Sequence, residues 1–254
     1  MKKTLIAIMA LSGIAAAETS VDIVTSMMPE VTPAFIGSGT GANIDLSWDT
    51  TFNGNAAAEA TAMTSAFSTL GINSTGYYAF NQYGNTKNSN SITLNNGVLS
   101  IGAPSSNGSG SMFYAAIVSV ADLLQGKEFD TLNNITLTLK GDSHGSNDSW
   151  FSIYSMDTTN TLTTIVELAY NNDGTTSLKS NGEPNSWNGT NSYTIKADAL
   201  EATDKVVLLV RHSGSSTLDF TNMYATANLT VPEPTTATLS LLALAGLAAR
   251  RRRK

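Results

Sequence analysis

The 254-residue chain has no cysteine. That absence removes disulfides, thiol nucleophiles and thiolate metal sites together, so packing and backbone ladders must supply the stability. Charge is also scarce. Only 13% of the residues are Asp, Glu, Lys or Arg, against about a quarter in an ordinary globular domain. Asn, Ser, Thr and Gly take their place, as in many β-rich secreted and surface proteins. There are two histidines, His144 and His212, and no HExxH, which is too little for a typical zinc site. No repeat of 20–50 residues is present. No apolar run reaches the roughly 20 residues of a stable membrane helix.

The charge that is present is unevenly placed. Seven of the 14 basic residues sit at the two ends: Lys2, Lys3, Arg250, Arg251, Arg252, Arg253 and Lys254. Between the ends, seven bases face 19 acids, a net charge of −12. A body this acidic argues against nucleic acid or an anionic membrane as its ligand.

Residues 1–17, MKKTLIAIMALSGIAAA, place two lysines before a short apolar core, Leu5 to Ile14. Small residues follow, with Ala15 and Ala17 at the spacing of a signal-peptidase site, so a cleaved signal peptide is expected. The other end reads VPEPTTATLSLLALAGLAARRRRK. Thr235 to Ala249 would span about 22 Å as a helix, short of the roughly 30 Å bilayer core. Arg250 to Arg253 and Lys254 would stay cytoplasmic by the positive-inside rule and stall the chain in the membrane. Pro232 and Pro234 keep the preceding segment extended and deny it ladder donors, leaving an unpaired stretch for a protease to grip.

This order of Pro232-Glu233-Pro234, a marginal apolar stretch and a basic cluster resembles the PEP-CTERM sorting signal. That tail is found on envelope proteins of diderm bacteria and is processed by the membrane protease exosortase. The resemblance covers only the last two dozen residues. It implies export, transient anchoring in the inner membrane, and then release to the cell surface or beyond. It also implies transient encounters with signal peptidase and exosortase, and an association with exopolysaccharide.

The body, residues 18–231, is a normal size for one β-sandwich. Asn95-Asn96-Gly97 reads as a hairpin turn between strands 91–94 and 98–101, because Asn and Gly tolerate positive φ. Further strands are expected at 113–120, 135–140, 150–154, 164–170, 175–179, 192–196, 205–212 and 217–231. In the fourth of these ten, Ile135, Leu137 and Leu139 share one face. The continuous apolar run Lys205 to Arg211 predicts a central strand covered on both faces. A helix is expected over 55–70, capped by Asn55, with Met63, Phe67 and Leu70 on its apolar stripe and Gly71 at its end. A short turn of helix is expected at 122–125, and a strand at 42–48. The fold class is therefore all-β with minor helix: a single jelly-roll-like sandwich, flanked by the signal helix and a membrane helix at 235–249.

No motif in the body carries convincing chemistry. Gly141-Asp142-Ser143 has the look of an esterase nucleophile block, but neither histidine stands where the base should; a polar loop is the expectation. Asp142, Asn147 and Asp148 offer hard oxygen ligands for Ca²⁺, without an EF-hand spacing. Trp187, Tyr77 and Tyr78 could form aromatic platforms for sugars. The expectation is a non-enzymatic envelope or matrix protein without cofactor, structural or adhesive in role; the alternative is a carbohydrate-binding module for extracellular or host glycans.

Overall fold

The structure is a computed structural model and describes residues 18–36, 56–81, 91–102, 111–127, 131–143, 149–168, 188–196, 200–201, 204–213 and 217–232. Among the described residues, twelve strands form two six-stranded sheets. The first sheet contains β1 (Glu18–Ser26), β4 (Ile92–Asn95), β5 (Val98–Gly102), β7 (Thr131–Ser143), β10 (Asn188–Lys196) and β12 (Thr217–Pro232). Its order is β10-β7-β12-β5-β4, with β1 paired to the C-terminal part of β12. The second sheet runs β2-β3-β6-β11-β8-β9. These are Ala34–Phe35, Gly76–Asn81, Ser111–Ser119, Lys205–Ser213, Ser149–Met156 and Leu162–Leu168 respectively.

Between the sheets lies one apolar core. Leu99, Ile101, Ile135, Leu137, Leu218, Phe220 and Leu229 enter it from the first sheet, and Tyr114, Phe151, Ile153, Leu208 and Val210 from the second. Phe151 meets Phe220 edge-on across this gap, ring centroids 5.8 Å apart, an arrangement favoured by the ring quadrupoles. The other face of the second sheet is covered as well. Helix α1 (Ala56–Leu70) lays Met63, Ala66 and Phe67 on Phe80, Phe113, Ala115, Val207 and Leu209. Phe80 stacks on Phe113 at 4.9 Å, and Phe67 meets Phe80 edge-on at 6.1 Å.

That helix explains the continuous apolar run. β11 lies between β6 and β8, and residues Val206 through His212 are all buried. Strand β12 has only one covered face and alternates accordingly: Met223, Ala225, Ala227 and Leu229 point inward, and their neighbours are part-exposed.

Most of the expected elements are present. The hairpin β4–β5 turns at Asn96 (φ 51°) and Gly97 (φ 78°), the positive pair that a two-residue turn needs. Helix α1 stops at Gly71, φ 70°. The second short helix, α2 (Val120–Leu124), begins earlier than expected because the Ser119 side chain accepts from the Asp122 backbone N–H and caps it. The sequence reading missed three strands near the N-terminus, β1, β2 and β3. Tyr77 and Tyr78, named above as candidate sugar platforms, belong to β3. The expected strands at 42–48 and 175–179 and the Asn55 cap fall outside the described residues.

Candidate functional site

The strands give the domain two distinct ends. At one end the first rung of β1 pairs Glu18 with Pro232, the last residue of β12. From there β1 runs in unbroken register to the Ser26–Tyr224 rung. A polar seam stitches its outer face. Asn228 donates from Nδ2 to Ser20 Oγ at 2.9 Å and to Asp22 Oδ1 at 2.7 Å. Asn133 on β7 donates in turn to Asn228 Oδ1 at 2.8 Å and to Thr230 Oγ1 at 3.0 Å. On the inner side Ile23 and Met27 enter the core. The Met27 N–H donates to Met223 O at 2.8 Å, and the Tyr114 hydroxyl donates to Met27 O at 3.3 Å. Gln125, in the left-handed conformation that closes α2, donates from Nε2 to Val24 O at 3.1 Å. The strand is thus held by β12, by the core and by α2.

Tyr114 is buried, and desolvation together with the neighbouring Tyr77 pushes its phenol well above the ordinary value. It stays neutral and serves as a hydrogen-bond donor.

The opposite end collects strand termini. Gly102, Ser143, Asn188 and Thr217 of the first sheet lie there, and Ser111, Ser149 and Ser213 of the second. Five connections between the sheets, residues 82–90, 103–110, 144–148, 169–187 and 214–216, are anchored on strand ends at this side. β12, sixteen residues long, joins the two ends over about 50 Å at about 3.3 Å per residue.

Among the sequence candidates, Gly141 has a backbone role. β12 bulges between Phe220 and Asn222 opposite it, and a Cβ on Gly141 would lie 1.9 Å from the Asp219 carbonyl oxygen. Gly141-Asp142-Ser143 is therefore the end of β7 rather than the expected polar loop, paired with β12 and β10. Asp142 sits opposite Asn188, so the position after Trp187 and the first calcium candidate come to adjacent strands. Trp187, Asn147, Asp148 and His144 themselves lie outside the described residues. No group of three or more His, Asp or Glu suited to a metal occurs among the described residues.

Tyr77 and Tyr78 point to opposite faces of β3. Tyr77 packs against the inter-sheet core and Tyr78 against the helix-covered cluster. The Tyr78 hydroxyl folds back onto the Ser74 side chain at 2.9 Å and the Ser74 carbonyl at 3.1 Å. A single sugar platform cannot use both rings. His212 is buried in β11.

One buried polar cluster was not anticipated. Glu59, in the first turn of α1, is 1% exposed and accepts hydrogen bonds from Ser152 and Tyr154 of β8. It pins the helix to the sheet. The signal was available, because Glu59, Met63 and Phe67 follow one another at the i, i+4 spacing of a single helix face.

At the Glu18–Pro232 end, the model of the PEP-CTERM protein-sorting motif matches residues 230–254. The match begins inside β12, at Thr230, Val231 and Pro232. The expectation that Pro232 is unpaired needs correcting: it closes the β1–β12 ladder, and a proline is tolerated there because it ends the strand. Glu233, Pro234, the apolar stretch 235–249 and the basic cluster 250–254 lie outside the described residues, as do Ala15 and Ala17. No described helix is long and apolar enough to cross a membrane. No characterised protein matches the chain. The motif marks the chain as an exported protein sorted by exosortase.

Proposed function

We propose that this protein is a non-enzymatic component of the cell envelope or extracellular matrix, structural or adhesive in role. Residues 1–17 direct it to the secretory route, signal peptidase removes them, and residues 235–249 hold it in the inner membrane until exosortase acts. The observation that carries the reading is the sorting motif at 230–254 meeting an otherwise all-β domain at the end of its longest strand. A domain attached there would turn its five-connection end away from the membrane, where a partner such as polysaccharide would meet it.

The architecture we read is a jelly roll built by the last eight strands. Orders β5-β12-β7-β10 and β6-β11-β8-β9 are what results when a long hairpin rolls up and successive pairs divide between two sheets. β1, β4, β2 and β3 extend that core at its margins. The β12 bulge accounts for Gly141 on backbone grounds alone.

Intact-mass analysis of the surface-exposed protein tests the proposal. The expected species lacks both residues 1–17 and the basic tail. Full-length polypeptide recovered from the cytosol, with its leader uncut, would refute it. Glycan recognition is the second reading, favoured by the adjacency of Asn188 and Asp142 at the end away from the sorting motif. It predicts selective binding on a glycan array that Trp187→Ala abolishes; flat binding unchanged by that substitution removes it.

A further inference from the structure

We propose that β1 clamps the sorting tail to the fold, so that exosortase removes the tail at or beyond Glu233 while the β1–β12 ladder stays closed. The inference rests on the sorting reading above and adds where the cut falls and what limits it.

The ladder's last rung pairs Glu18 with Pro232. Upstream of that rung, Leu229 is buried in the core and Thr230 and Val231 are each paired on β1. A protease needs several residues of free extended chain, and ladder residues become free only by local opening. Opening here would break the Asn228 seam to Ser20 and Asp22 and withdraw Leu229 from the core. Beyond the rung the sequence itself forbids extension. Pro232 and Pro234 lack N–H groups, and donors two residues apart along a strand point to the same edge. A continuation of β12 past Pro232 would therefore lose two successive donors on one edge.

The same rung fixes the other end of the mature chain. Cleavage after Ala17 would leave Glu18 as the first residue, opposite Pro232. Both maturation cuts then trim one end of one strand pair.

The chain has no cysteine, so one engineered disulfide would face no competing pairing. Asp22 and Asn228 are direct partners on the outer face, and the double variant Asp22→Cys, Asn228→Cys would lock β1 to β12 in the oxidising compartment. The full chain would be expressed in its exosortase-bearing host, and the surface product analysed by intact mass, with and without reductant. Wild type and the locked variant are both expected to begin at Glu18 and to end at residue 232 or later, with tail removal at rates within twofold. Ile23→Asp, which unseats β1 from the core, is expected to add products ending between residues 224 and 231; should that variant not accumulate, the locked variant decides. A wild-type product ending inside β12 would overturn the clamp, as would a locked variant that keeps its tail while wild type loses it. Retention of residues 235–254 in every variant would instead refute the sorting reading, and the clamp with it.

Discussion

The two sheets contrast in what covers them. The first has one face on the core and one toward solvent, and β12 alternates buried and part-exposed residues along most of its length. The second is covered by its partner sheet on one face and by α1 on the other, and β11 is apolar without alternation. The hydrophobic period of a strand therefore reports how many of its faces are covered, not merely that it is a strand. The helix that imposes the difference is fastened by Phe67 and Met63 and by one buried carboxylate, Glu59.

The largest expected loss comes from the first sheet. Gly141→Ala would drive a Cβ to within 1.9 Å of the Asp219 carbonyl oxygen at the bulge that re-aims β12. We expect a loss of more than about 4 kcal/mol, read from the shift in the urea midpoint. Phe67→Ala removes the main apolar contact of α1, with an expected cost of about 3–5 kcal/mol. Thr226→Ala, at a part-exposed position of β12, should stay within about 0.5 kcal/mol by the same measurement. Equal costs for these two would erase the contrast between the sheets.

Tyr154→Phe withdraws a hydroxyl donor from Glu59 and should cost about 1–3 kcal/mol. Chemical denaturation of the variant checks this, and a neutral result would mean that the carboxylate does not pin the helix. A pH-dependent effect is expected in the β8–β9 turn. The Asp157 carboxylate accepts from the Thr159 hydroxyl and N–H at 2.8 Å and from the Thr161 N–H at 2.9 Å. The Thr159 side chain above all, with the Thr161 N–H, holds its pKa below the ordinary 3.8. Because the folded value is the lower one, this contribution is present in full above the ordinary value. It fades as the pH falls below 3.8 and is lost once the folded group protonates. The stability gap between wild type and Asp157→Asn should narrow over that acid range; a gap constant from neutral pH down to full protonation would show that the carboxylate charge is not what matters.

What was legible in the sequence follows the same division. The Asn96-Gly97 turn, the central β11, the inward face Ile135–Leu137–Leu139 and helix α1 each carry a local signal: a turn dipeptide, a run, a period or a cap. β1 and β3 do not. In β1, Val21 and Val24 are exposed while Ile23 is buried, so no clean alternation marks it. β3 hides between a helix end and a run of Gly and Asn. The sorting motif was legible because its physics is linear along the chain.

Local chemistry determined the sorting address at the C-terminal end, the acidic uncharged-polar character of the body, and the identity of most strands, because a sorting motif, turns and hydrophobic periods act through residues close in sequence. Tertiary structure alone decided that Glu18 meets Pro232, that Gly141 makes room for a bulge, and that Glu59 lies beneath a helix against Ser152 and Tyr154. Those facts depend on contacts between residues about 80 to more than 200 positions apart, and no local pattern encodes which distant strand a residue will meet.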